Sequence, residues 1–389
     1  MGKETKMRKA FWVLITLLSI YPCLAQEYFI IGDKPGDAEV LSPRQIEEGP
    51  DGNIYIFDRQ SAFIKVFSAD GRFLRKMGGK GEGPGETKRT DGMSFNFTFD
   101  KKMLYFTEFF EGHRWITFME LSGKCHGVLK LKMEKNYGIL RSIQLKEGDF
   151  LAQVSFLHNA ERQGDYFLYR CPIALVKINP AGEIATEILR TEQVERISSM
   201  KNGADVPIPF GPSFCWTLLK DNSIVFSEGL SNVFKIYDGS GKITGEIKTP
   251  LPEPQPVTPE DLEKWKINFI ENFRDKDWFN RFGKVINKYK KSIHEKKPNL
   301  NGISATPGGN LLAVGRWDSQ KNTQSYRLMD LKGAVIKNME INGYGLKISE
   351  HFVFCIAGDE DENTLVLCLK RKGNEAEDLA RLEKALAER

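Results

Sequence analysis

Four short runs decide the fold: Leu41-Ser42-Pro43-Arg44-Gln45-Ile46, Asp51-Gly52-Asn53-Ile54-Tyr55-Ile56-Phe57-Asp58, Ile64-Lys65-Val66-Phe67 and Asp70-Gly71-Arg72-Phe73-Leu74. A polar turn leads into a run of β-branched and aromatic residues, which favour strands. A second run alternates, breaks at a tight turn and resumes. Gly71 supplies the positive φ such a hairpin turn needs, and Asp or Asn starts it.

Both patterns recur along the chain. The polar turn returns before Met103-Leu104-Tyr105-Phe106, Phe150-Leu151-Ala152-Gln153-Val154, Ile224-Val225-Phe226, Leu311-Leu312-Ala313-Val314 and Phe352-Val353-Phe354-Cys355, six times in all. The glycine hairpin returns at Gly123, Gly182, Gly241 and Gly333, five in all. Each unit therefore reads as four antiparallel strands, and the sixth, ending near Arg371, lacks its last. Tyr28-Phe29-Ile30-Ile31 is the one unassigned strand and can supply it. The sequence predicts an all-β chain: a six-bladed β-propeller of four-stranded antiparallel blades, its ring closed by an N-terminal strand so that no blade lacks its edge. The blades are expected at 39–80, 90–132, 139–190, 210–249, 299–341 and 344–371 plus 28–33. A two-sheet sandwich is the alternative, but it gives no reason for a four-strand period.

Residues 28–86, continuing into Gly78-Gly79-Lys80-Gly81-Glu82-Gly83-Pro84-Gly85-Glu86, resemble an NHL-type repeat of secreted bacterial six-bladed propellers of the NHL/TolB-like group. The resemblance implies fold and export. That group is functionally mixed, so it implies no activity. Some of its relatives hold a metal on the central axis.

The N-terminus reads as a signal peptide over 1–26. Lys3, Lys6, Arg8 and Lys9 precede an apolar stretch shorter than the ~20 residues a membrane span needs, and Cys23-Leu24-Ala25 follows. Cleavage is expected after Ala25, giving a periplasmic or extracellular protein. Lipidation at Cys23 is the alternative, which Pro22 fits badly. Removing 1–26 takes away four basic residues and one acidic one, so the formal charge falls from +4 to +1. That balance gives no electrostatic case for nucleic acid, and no integral membrane protein is expected after cleavage. Five cysteines then remain, an odd number; a Cys355–Cys368 bridge is conceivable, but buried thiols are the simpler reading.

Two segments fall outside the blades. Residues 258–297 are expected to form a helical insertion between blades four and five, N-capped by Thr258 with Pro259 at the first helical position. Residues 373–389 read as a short C-terminal helix with Leu379, Leu382 and Leu386 on one face. The propeller itself is expected over 27–372.

The long connections, Phe156 to Phe167, 191–209 and 250–298, share one face, and loops carry function more often than scaffold. The candidate binding residues follow strand two of each blade: Asp58, Arg59, Glu108, His113, His158, Arg162, Glu228, Arg316, Trp317, Asp318 and Asp359. For each, a solvated or blade-bracing role is the competing reading. Gly78–Glu86 lacks the Gly-Lys-Ser/Thr ending of a phosphate loop and reads as a connection between blades. Asp359–Asn363 lacks the distal Glu of a calcium loop. The five histidines form no HExxH and no close pair, and no Gly-x-Ser-x-Gly elbow occurs. The expectation is an exported binding or scaffold module for a peptide, protein or glycan, with no catalysis and no cofactor. The alternative is a metal-dependent hydrolase or lyase with calcium or zinc on the axis.

Overall fold

The computed structural model describes residues 28–87, 93–108, 115–133, 137–156, 160–163, 166–170, 172–191, 194–199, 205–207, 209–264, 267, 295–318, 321–358 and 364–387. The expected signal peptide therefore lies outside the described residues, as does most of the 258–297 insertion.

Six four-stranded antiparallel sheets form the ring. Blade one runs Pro43–Glu48, Ile54–Asp58, Phe63–Phe67, Phe73–Gly78. Blade two runs Met93–Phe97, Met103–Glu108, Trp115–Glu120, Cys125–Lys130. Blade three is Tyr137–Gln144, Phe150–Phe156, Ile173–Ile178, Ile184–Thr191. Blade four is Cys215–Leu218, Ile224–Ser227, Val233–Tyr237, Ile243–Lys248. Blade five is Gly302–Ala305, Leu311–Asp318, Thr323–Met329, Val335–Ile341. Blade six takes Tyr344–Ile348, Phe352–Gly358 and Thr364–Lys370 from the C-terminal end and Tyr28–Ile31 from the N-terminal end. Tyr28 pairs with Leu369 and Ile31 with Val366, so the N-terminal strand closes the ring.

The first strands of neighbouring blades touch one another and surround the axis, leaving the fourth strands at the rim. The burial patterns follow. Ile54, Tyr55, Ile56 and Phe57, on a second strand, are fully buried on both faces, whereas the fourth strand Phe73–Gly78 alternates toward solvent.

Among the described residues the apolar core falls into six wedges, one between each pair of adjacent blades. The hairpin glycines join these wedges at the rim. A Cβ on Gly182 of blade three would stand 2.2 Å from the Lys130 carbonyl oxygen of blade two. One on Gly333 of blade five would stand 2.0 Å from that of Lys248 in blade four. Both have φ near +80° to +90°. Glycine at these turns thus serves the hairpin and the close approach of the preceding blade together.

Blade three departs from expectation. The segments read as loops, Phe156 to Phe167 and 191–209, contain the strands Ala160–Gln163, Tyr166–Arg170, Val194–Ser199 and Asp205–Pro207. They make a seventh four-stranded sheet. Arg170 pairs with Val194 just beyond the Ile173–Thr191 pair, so strands three and four run on past the ring as one long hairpin. No glycine interrupts Tyr166-Phe167-Leu168-Tyr169-Arg170, and a β-rich run without a breaker continues.

The C-terminal helix, Glu375–Ala387, seals the wedge between blades five and six with Leu379 and Leu382. Glu375 accepts bonds from Thr306 Oγ1, the Gly308 N–H and Asn310 Nδ2, tying the helix to the first turn of blade five. Residues 259–264 and 267 are helical. Thr258 and Asp261 cap this helix reciprocally: the Thr258 N–H donates to Asp261 Oδ2 at 2.9 Å, and the Asp261 N–H to Thr258 Oγ1 at 3.2 Å. Cys125, Cys215, Cys355 and Cys368 are free thiols, so Cys355 and Cys368 are not bridged. Burial pushes the Cys355 thiol up to about 12.

Candidate functional site on the loop-bearing face

The structure divides the described candidate residues among separate sectors of the propeller. His113, His158 and Asp359 lie outside the described residues, and the side chain of Glu108 is not described. Arg162 is exposed on the extension of blade three.

Asp58 is turned into blade one. It is 0% exposed and sits 3.2 Å from the amine of Lys65, itself 4% exposed. Ser61 Oγ and the Ser42 N–H donate to its two oxygens at 2.7 and 2.8 Å. Burial raises the carboxyl, but these hydrogen bonds and Lys65 outweigh it, and the net shift is downward. Asp58 is therefore a brace that fixes the turn of blade one to the chain entering it. Arg59 stays half-exposed beside it, and its charge, with that of Arg44, acts on the Tyr344 phenol.

Glu228, Arg316, Trp317 and Asp318 share a second sector, between blades four and five. Here the pairing of strand two with strand three slips between Val314 and Trp317. The extra residue breaks alternation, so Arg316 and Trp317, although consecutive, are both exposed, Trp317 by 40%. Gln324 Nε2 donates to the Gly315 oxygen at 3.0 Å and holds the bulge.

Beneath Arg316 lies Phe210, its ring centroid 5.5 Å from the guanidinium carbon. Phe210 has φ +62°, a left-handed conformation that a bulky residue adopts only when its surroundings impose it. Two hydrogen bonds tie down the segment that follows it. The Ser213 N–H donates to the Glu228 oxygen at 2.8 Å, and Ser213 Oγ to the Leu300 oxygen at 2.7 Å. Solvent reaches Arg316, yet enough protein surrounds it that burial lowers its pKa, with the charge of Asp261 opposing. Asp261 in turn accepts from Lys297 at 2.7 Å. The sector thus offers a planar cation, an exposed indole and exposed Glu228 around a phenyl floor, groups that can make binding contacts. Phe210 was not singled out from sequence; its position shows only in the fold.

The opposite face carries a cleft of about 320 Å³ between blades three and four, rimmed by Asp221 and Asp238. Around the axis, the six innermost strands hold only two acids. Glu47 is bonded to Lys347, and Glu48 to Ser349 and His351. Among the described residues no three His, Cys, Asp or Glu side chains gather to hold a metal ion. No helix among them is long and apolar enough to cross a membrane.

Comparison with known proteins gives the following. Solved structures similar to this chain include virginiamycin B lyase from Staphylococcus aureus, at 14% identity over 88% of this chain and 98% of that one, with a TM-score of 0.44. A member of the DUF4221 family from Bacteroides vulgatus is similar at 11% identity over 89% and 99%, TM-score 0.46. Aldose sugar dehydrogenase from Streptomyces coelicolor is similar at 10% identity over 85% and 95%, TM-score 0.42. No curated protein matches the chain. Residues 36–96, blade one and the start of blade two, match the DUF5128 family, described as a 6-bladed beta-propeller, and the six closed blades agree with that description.

Proposed function

We propose that this chain is an exported binding module that takes a peptide, protein or glycan on its loop-bearing face, with no chemistry and no cofactor of its own. The observation that carries the reading is the Arg316–Trp317 pair, displayed by a bulge over a Phe210 held in a left-handed backbone conformation. Exposed Trp and Arg on a rigid frame are the residue types that dominate binding energy at interfaces. Glu228, Asp318 and Arg59 are assigned to the rim of the same face. Export rests on the basic, apolar, small-residue plan of residues 1–26 and on the likeness of 28–86 to NHL/TolB-like secreted propellers.

The test is binding of purified protein to peptide and glycan arrays, compared with Arg316→Ala/Trp317→Ala. Two hot-spot residues at about 2 kcal/mol each predict a loss of roughly a thousandfold in affinity at an unchanged unfolding midpoint. Equal binding by the folded double variant removes the site, and no binding by the wild type removes the reading.

The alternative, a hydrolase or lyase with an axial metal, is decided by elemental analysis of protein purified without chelator or nickel. The expected result is less than one-tenth of a metal ion per chain, an order-of-magnitude threshold for a real site. One tightly held calcium or zinc per chain would overturn the binding reading.

A further inference from the structure

The axis holds a cation that the loop-face reading does not use. Arg141 lies on the innermost strand of blade three, where the register slips between Ile139 and Arg141. Its neighbour Ser142 is buried at 4%, whereas Arg141 is reached by solvent. Strand two flanks this strand on one edge, and the first strand of blade two lies beside it. An exposed side chain in the middle of such a strand has the central channel to enter.

The guanidinium is fixed against blade four. Nη1 donates to the Trp216 carbonyl oxygen at 3.1 Å, across to the innermost strand of blade four. The guanidinium carbon lies 4.8 Å from the centroid of the Trp216 ring. That ring is 1% exposed, and its Nε1 donates to Gln153 Oε1 at 2.9 Å. With Nη1 engaged, Nε and Nη2 form the opposite edge, two parallel donors spaced for two oxygens. Among the described residues no acceptor lies on that edge and no carboxylate pairs with Arg141. Glu47 is the acid whose charge reaches it, and Glu47 is already bonded to Lys347 and Gln45. The innermost strands carry Arg44, Arg141 and Lys347 against Glu47 and Glu48, so the axis has a surplus of positive charge. An Arg whose face stacks on Trp216 and whose outer edge has no direct counter-ion offers that edge to an anion.

We propose that the central channel binds a small anion presenting two coplanar oxygens, a carboxylate or a phosphate, on the Nε–Nη2 edge of Arg141 above Trp216. The site is separate from the Arg316–Trp317 sector, and either can exist without the other.

The experiment is calorimetric titration of the full purified protein with succinate and with inorganic phosphate, at ionic strength held constant with sodium chloride. Thermal unfolding is followed under the same conditions. The expected result is saturable binding of at least one probe at one site per chain, with an unfolding midpoint that rises with probe concentration. Saturation by succinate alone identifies a carboxylate ligand, and by phosphate alone a phosphate ligand; either supports the site. Arg141→Gln is expected to weaken binding at least tenfold. Arg141→Lys, which keeps the charge but not the fork, should weaken it as well. Arg316→Ala/Trp317→Ala should bind the probes as the wild type does, which separates this site from the loop face. Absence of saturable binding by the wild type overturns the proposal whether or not the variants fold. Equal binding by a folded Arg141→Gln also overturns it.

Discussion

Asp58→Ala will lower the unfolding free energy by about 3–5 kcal/mol, the usual cost of removing one partner of a buried ion pair. The cause is Lys65: it is 4% exposed, and Asp58 is the carboxylate facing its amine. Its remaining bond, to the Glu39 carbonyl oxygen, does not neutralise its charge. Lys65→Met in the Asp58→Ala background should recover much of the loss, because the orphaned charge is then gone. The pH dependence has a definite sign. The folded carboxyl titrates below its ordinary range, so the Asp58 contribution is whole above the unfolded value of about 3.9. It is lost as pH falls from there through the lower folded value. Urea midpoints at pH 7 and down to pH 3 check both statements. A wild-type midpoint for Asp58→Ala would show that the pair does not hold the blade.

Deleting the chain through Ile31 will leave a protein that does not fold as a stable monomer. The closing strand contributes Ile31, 1% exposed within the wedge between blades six and one, and the ring of Phe29, packed edge-on to Phe352 at 6.3 Å. Its removal bares the Thr364–Lys370 strand, whose residues Val366, Leu367, Cys368 and Leu369 are fully buried in the closed ring. An open apolar edge of that kind pairs with other chains. Light scattering and size exclusion should report association. The milder Ile31→Ala should cost about 2–5 kcal/mol and leave a monomer. A truncated chain that is monomeric with a wild-type midpoint would contradict the closure.

The architecture was legible because it is written twice, once in polar turns before second strands and again in glycine hairpins before fourth strands. Even the closing strand followed from counting, since the sixth unit lacked a partner that Tyr28–Ile31 could supply. The extension of blade three escaped because turn residues are the punctuation of such a count, and Tyr166–Arg170 carries none. The site was legible only in part. Asp58 and Arg316 both follow a second strand, and sequence does not distinguish a buried brace from a displayed cation. What separates them is Lys65 beside the first and a bulge at the second. Phe210 sits in a segment that Ser213 ties to Glu228 and Leu300, two residues from connections remote in sequence. Arg141 did leave a signal: one charge inside the apolar run Ile139-Leu140-Arg141-Ser142-Ile143.

The pairing of Tyr28–Ile31 with Thr364–Lys370 also sets an order of events in time. The closing strand is made before all the other strands of the ring, and its partner belongs to the last blade made. Five blades can assemble from local hairpins as the chain lengthens, while the sixth wedge stays open and its apolar faces wet. Closing it pairs strands from opposite ends of the ring's chain, and contacts of such sequence separation are slow. Refolding should therefore show a late phase that Ile31→Ala retards and that substitutions within blade two or four leave alone.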